Sequence, residues 1–412
     1  MANILFIKSN KILIRRTYIQ ELLVKLGGRF YLMQHTSKLP DVKTTIFSIM
    51  SGLAKTHNAI NLSQGFPDFE SDKTLTDLVC KAMNSGYNQY APMYGNLELR
   101  QAIAKKIELL YNTSYHPDNE ITVTAGATQA IFTVINTFIR EGDEVIIFKP
   151  AYDSYEPAVK LNGGTPIAIQ LEAPFFGVDW DLVRQKISSR TKMIIVNTPH
   201  NPLGTVFSKA DMLQLQDLTK NTDIIVLSDE VYEHMIYDGE QHQSACLFPD
   251  LKKRSFVVAS FCKTFHNTGW RIGYCCAPKE LMDLFMQVHQ FNVFCVHHPT
   301  QKGIADYMQE PKHYLELSAF YQQKRDLFLN LIKDSRFKFK PSKGTYFQVL
   351  DYSAITDEYD VDFAKRLTVE SGIASIPLSV FNTNNIDHKV LRFCFAKKDD
   401  TLKRAADILN TI

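Results

Sequence analysis

In the stretch SFVVASFCKTFHNTGWRIGY, residues 255–274, a lysine follows a short run of apolar and β-branched residues. That run, 256–260, suggests a buried strand, and it places Lys263 just past the strand's carboxyl end, where open α/β sheets bind ligands. Desolvation there loosens the amine's hold on its proton and makes it a nucleophile able to form a Schiff base with a carbonyl. Ser260 and Arg271 flank the lysine and suit an anion such as a phosphate. On this stretch alone, a solvated lysine and an arginine paired with a carboxylate account for the pattern equally well.

Other apolar runs end in the same way. In DIIVLSDEVY, residues 223–232, Asp229 follows a run of largely apolar residues and Tyr232 comes three positions later. A carboxylate so placed is buried and needs a partner, which an arginine elsewhere would also supply. MIIVN, residues 193–197, leads into TPHNPLG, a turn stiffened by two prolines and a glycine, with Asn201 inside it. EVIIF, residues 144–148, is followed by Tyr152, an aromatic able to stack on a planar ring or simply to pack. ITVTAGATQAIFTVINTFI reads as strand, turn and helix, and Gly126, Ala127 and Thr128 leave backbone N–H groups free for a phosphate. No Gly-Lys-Ser/Thr follows, so this is not a Walker loop, and the lack of GxGxxG argues against a dinucleotide enzyme. Gly65, in a Gly-Phe-Pro turn, permits close approach of backbone to a ligand. Arg392 sits in a strand between apolar neighbours and calls for a bidentate carboxylate. Polar residues at several successive strand ends weigh more than any one of them.

The elements that must carry these residues follow from the patterning. A helix is expected over about 45–55, a second over 73–85, and Asn96 caps a long amphipathic helix. Between them lies the aromatic loop 87–95, with Tyr90 and Tyr94. Strand–helix alternation runs from 120 to about 275, helices dominate 278–335, and the remainder is a small α+β unit with a helix over 360–371. The organisation read from this is an N-terminal extension at 1–35, an arm contributing to the small domain at 36–72, a large domain at 73–300 and a small domain at 301–412. The extension is basic and apolar with Glu21 as its one acid, and Met33 reads as an internal start, so a mis-assigned start is expected over a targeting tag.

The chain of 412 residues is 45% hydrophobic and 22% charged with a net charge of +2, which gives nucleic-acid binding no electrostatic support. No apolar run is long enough to span a bilayer. Seven cysteines without CxxC spacing read as reduced, mostly buried thiols of a cytoplasmic protein, and no metal centre is expected.

Taken together, SFCKTFHNTGWRIGY, NTPHNPLG, SDEVYEH and LRFCF resemble the landmarks of the fold-type I, class I/II aminotransferases that use pyridoxal phosphate (PLP), in the order that family has them. The resemblance runs from about Leu39 to the C-terminus, and LSQGFPDF, NQYAPMYG, TAGATQA and IPLSVF look most like the methionine-preferring members, with the kynurenine–oxoglutarate group next. It implies an α/β fold of the aspartate aminotransferase type, with a mostly parallel central sheet in the large domain and a smaller α+β domain. It implies that Lys263 carries PLP and moves protons, that Asp229 pairs with the pyridine N–H, and that Tyr232 and Asn201 hydrogen-bond the ring oxygen. Tyr152 would stack on the ring, while Ser260, Arg271 and the backbone of Gly126, Ala127 and Thr128 grip the phosphate. Tyr90 would reach the phosphate of a second subunit, making the site a property of a homodimer. Arg392, with Asn201 and the backbone of Gly65, would clamp the substrate carboxylate, and Phe47, Tyr94 and Phe294 suit an apolar side chain. The implied reaction is ping-pong transfer of the amino group of methionine, or of aromatic and other large apolar amino acids, to a 2-oxo acid. Kynurenine transamination or β-elimination from cysteine conjugates is the alternative. A non-catalytic PLP-sensing domain is the remote one, disfavoured by the short extension and the near-neutral charge.

Overall fold

Through residues 121–276 the strands read as near-continuous apolar runs, the pattern of a sheet covered on both faces. Each face has its own core. Val145 and Ile147 pack into one cluster with Ile131, Val134 and Ile135 of the helix Gly126–Phe138, whereas Ile146 and Phe148 point into the other. The alternation of successive side chains thus feeds both layers from one strand.

The computed structural model describes residues 35–412, so the expectations about the extension and about Met33 lie outside the described residues. Residues 42–412 form one compact unit. After the helix Ile46–Thr56, capped by the Thr45 side chain, comes the short strand β1 (Ile60–Asn61). The helices Lys73–Asn84 and Leu97–Tyr111 follow, capped by Asp72 and Asn96. The main sheet holds β2 (Ile121–Thr124), β3 (Glu144–Lys149), β4 (Thr165–Gln170), β5 (Thr191–Asn197), β6 (Ile225–Asp229), β7 (Ser255–Ser260) and β8 (Gly273–Cys276). Their order is β2-β8-β7-β6-β5-β3-β4. Strands β3 to β7 pair in parallel, and β8 runs antiparallel to both its neighbours, giving the mostly parallel α/β sheet expected.

A second sheet contains β9 (Phe347–Asp351), β11 (Ile376–Pro377) and β12 (Val390–Cys394), all antiparallel. The short β10 (Ile373–Ala374) pairs with β1, and Cys394 N donates to Leu62 O at 2.8 Å. The segment that follows β1, Ser63 to Gly65, is thereby fastened beside the strand carrying Arg392. The helix expected over 360–371 is α-helical only over Asp360–Arg366 and widens into π-helical turns over Leu367–Ser371. It stops at Gly372, whose left-handed φ of 78° lets its N–H reach back to Leu367 O. All seven cysteines are free, five of them buried, with Cys80 exposed and Cys295 between. Among the described residues no helix is long and apolar enough to cross a membrane.

Candidate active site

Register brings the ends of β5 and β6 to one level, just short of the end of β7 at Ser260. Asn197 of β5 stands opposite Asp229 of β6, and Asp229 opposite Val258 of β7. The Asn197 side-chain amide donates to Asp229 O at 2.9 Å, and its oxygen accepts from Asn201 N at 2.8 Å, so the Asn201 turn is tied to the sheet. One turn of helix, Phe261–Thr264, then carries Lys263 out of β7.

Lys263 keeps a solvent-facing edge, but its Nζ lies among buried groups and donates to Gly65 O at 3.1 Å and to Tyr346 Oη at 3.0 Å. Burial, which disfavours the ammonium, pushes its amine down to about 8. Asp229 is buried, accepting from Tyr155 Oη at 2.6 Å and from Val231 N at 3.3 Å. Burial outweighs these bonds and lifts its carboxyl to about 6. It has no salt-bridge partner among the described residues, so the arginine pairing left open by the sequence is not made. Tyr232 is buried, with the Lys263 amine 5.9 Å from its ring centroid, and burial raises its phenol.

The anion end is built on Gly126. The helix Gly126–Phe138 starts after Ala125 without a side-chain cap, unlike the helices capped by Thr45, Asp72 and Asn96. Gly126 has a φ of 75°, and a Cβ there would stand 2.8 Å from Arg271 Nη2. The guanidinium thus lies over the first turn of that helix, where backbone N–H groups and the helix dipole attract an anion. Ser260 is registered opposite Gly273, whose own Cβ would meet Ala127 N at 2.8 Å, so the serine adjoins the same turn. Thr128 Oγ1 and Tyr152 Oη are 3.4 Å apart beside it.

Arg392 is 1% exposed. Its Nη1 donates to Asn201 Oδ1 at 2.8 Å and its Nη2 to Ser63 O at 2.7 Å, while Nε has no partner. The guanidinium lies 3.9 Å from the Phe347 ring centroid and 5.2 Å from that of Phe47. Burial lowers it to about 10. A buried cation held by neutral oxygens and aromatic rings is a seat for a carboxylate.

Tyr90 is 82% exposed, with the edge of Phe294 at 5.6 Å between centroids. Tyr94 is half-buried, 5.9 Å from the Arg100 guanidinium. The sequence reading did not single out Tyr155, Asn197, Ser63, Tyr346 or Phe347. Tyr155 had a signal, standing three residues beyond Tyr152 at the start of a helix, and Asn197 another, as the polar end of an apolar strand. Tyr346 and Phe347 read as ordinary members of an apolar alternation.

A family model for aminotransferase class I and II matches residues 57–409. The chain belongs to that family. It is 48% identical over 377 residues to methionine aminotransferase of Escherichia coli, an alignment covering 91% of this chain and 98% of that protein. The crystal structure of an Escherichia coli protein identified as a methionine aminotransferase superposes with a TM-score of 0.91 at 47% identity, over 92% of this chain and all of that one. Human kynurenine–oxoglutarate transaminase 3 is 33% identical, with 91% of this chain and 89% of that one covered. The protein is therefore a transaminase of amino acids and 2-oxo acids, and its family works with PLP. The residues fit that group. A primary amine, a buried carboxylate without a cation, and an uncapped helix start under a guanidinium match its aldehyde, ring nitrogen and phosphate.

Proposed function

We propose that this aminotransferase moves the amino group of methionine, and of aromatic and other large apolar amino acids, to a 2-oxo acid by ping-pong turnover. The observation that carries the reading is Arg392, a buried cation without a carboxylate, flanked by the Phe47 and Phe347 rings and tied through Asn201 to the strand ends that bear Asp229 and Lys263. A substrate carboxylate on that arginine leaves its apolar side chain among aromatic rings. The likeness to the Escherichia coli methionine aminotransferase supports the choice of methionine.

When bound, PLP would supply the carrier for the amino group and a sink for the negative charge left on the substrate carbon. The chain supplies the rest. Lys263, with its amine near neutrality, takes the proton from the α-carbon and later gives one back. Asp229 would partner the ring N–H, and Tyr232 and Asn201 would hold the ring oxygen. Tyr152 would stack on the ring. Ser260, Arg271 and the amides of Gly126, Ala127 and Thr128 would hold the phosphate, and the Gly65 backbone would help to seat the substrate. Exposed Tyr90, with Phe294 at its edge, fits a residue offered to a second copy, so the working form in this reading is a homodimer. The large domain at 73–300 would carry the cofactor, and 36–72 with 301–412 the carboxylate clamp. The free, mostly buried thiols suit the cytoplasm.

The test is a panel of amino acids against several 2-oxo acids with the purified holoenzyme. Methionine should exceed aspartate in kcat/KM by about 10-fold or more. A preference for aspartate or kynurenine, or pyruvate and ammonia released from cysteine conjugates faster than methionine is transaminated, would overturn the assignment.

A further inference from the structure

Tyr346 precedes β9, following Thr345, which has a φ of 64°. It is fully buried, with ring centroids of Phe347, Tyr232 and Tyr321 at 4.9, 5.2 and 5.8 Å. The packing fixes its hydroxyl, which donates to Gly65 O and accepts from Lys263 Nζ. The Lys263 amine thus has two acceptors, Gly65 O at 3.1 Å and Tyr346 Oη at 3.0 Å. Gly65 is itself constrained, because a Cβ there would stand 2.7 Å from Phe347 Cζ.

A neutral primary amine has four tetrahedral directions: its carbon, two N–H bonds and one lone pair. Gly65 O and Tyr346 Oη are bonded to each other and stand close together as seen from Nζ, so they share one N–H of the amine between them. The two remaining directions, one N–H and the lone pair in the neutral amine and two N–H bonds in the ammonium, then both face away from that pair of oxygens. The pair therefore turns the reacting side of the amine the same way when it removes a proton and when it returns one, without Tyr346 exchanging a proton itself.

We infer that Tyr346 is a positioning residue for the reaction, forming with the Gly65 carbonyl a cradle that orients the Lys263 amine whenever it is not covalently engaged. This rests on the assignment of Lys263 as the proton-moving group. A tyrosine present only for packing would be replaced by phenylalanine without effect. A tyrosine that aims the amine would not.

Tyr346→Phe keeps the ring and removes the acceptor. A lost acceptor disfavours the ammonium, so in the apoprotein Lys263 should titrate lower by roughly 0.5–1 unit. The other groups facing the amine (Tyr232, Cys262, Cys394, Arg271, Arg392 and Asp229) are unchanged in the variant. Competitive acetic anhydride labelling across pH, read by mass spectrometry of the peptide containing Lys263, measures the shift, and a thermal melt checks the fold. In the holoenzyme kcat should fall about 10-fold with KM for the amino acid kept within about two-fold. An unmoved Lys263 titration together with an unchanged kcat, or a loss lying wholly in KM, overturns the inference. The labelling result does not depend on which amino acid is the best substrate, so it survives a failure of the methionine assignment. Retained turnover in Lys263→Ala would instead remove the assignment on which the inference stands.

Discussion

Asp229 and Glu233 stand four residues apart, both carboxylates are buried, and they are served in opposite ways. Glu233 forms a buried ion pair with Lys106 and accepts from Tyr111 Oη at 2.8 Å and Tyr274 Oη at 3.0 Å. Burial works against its charge, but Lys106 and His234 outweigh it and hold the carboxyl well below the usual range. Asp229 has only a phenol and an amide and rises to about 6. Across the site, Lys263 and Arg392 are likewise buried among neutral acceptors. The first cluster is closed and braces the turn after β6. The second is open, its charges kept out of water and left for a ligand to complete. Perturbed pKa values alone do not separate the two, since both clusters have them. The presence or absence of an opposite charge does.

Four variants test that contrast. Lys263→Ala should lower turnover by at least about 10³-fold and abolish covalent attachment of the cofactor, read by borohydride reduction and intact mass. If turnover survives, the open cluster is not the reacting one. Lys106→Met strands a buried carboxylate and should cost roughly 3–5 kcal/mol of stability in urea unfolding, part of it recovered in Lys106→Met/Glu233→Gln. Its kcat, measured on folded protein, should remain within about three-fold of the parent. A collapse of kcat comparable to that of Lys263→Ala would mean that the two clusters act as one. The smallest effect belongs to Asp229. Its folded pKa, about 6, lies above the ordinary 3.8, so burial of the protonated acid favours folding below 3.8 and that advantage is lost as pH rises through 6. The stability of the apoprotein relative to Asp229→Asn should therefore fall between about pH 4 and pH 7, by up to about 3 kcal/mol. A difference that stays flat with pH would place Asp229 in a solvated or paired setting.

The legible part of the site was the part that local order dictates. A strand that ends in a polar residue is visible in one stretch, and so the placement of Lys263, Asp229 and the Asn201 turn beyond strand ends was legible, as were the helix starts near Thr45, Lys73 and Asn96. The turn at Gly126 was legible because small residues between a β-rich run and a helical one mark a strand–helix junction within one stretch. Tyr346 was missed because nothing within GTYFQVLD distinguishes a hydroxyl bonded to Gly65, 281 residues away, from one in an ordinary core. The partners of Arg392 were half legible. An arginine in an apolar strand announces that it needs something, but not that one of its partners is the backbone oxygen of Ser63. The π-helical end of the helix after Asp360 was invisible for a related reason, since its apolar spacing suits an α-helix equally well.

The bond from Arg392 to Ser63 O joins residues 329 positions apart, while Asn201, Asp229 and Lys263 come from the middle of the chain. In the proposed reading, a ribosome making this protein would therefore finish the lysine and the phosphate-binding residues of the cofactor site well before the arginine of the carboxylate clamp. A nascent chain able to take up the cofactor would still be unable to select an amino acid, and chemistry on free amines waits until the late C-terminal strand has come home to the early loop.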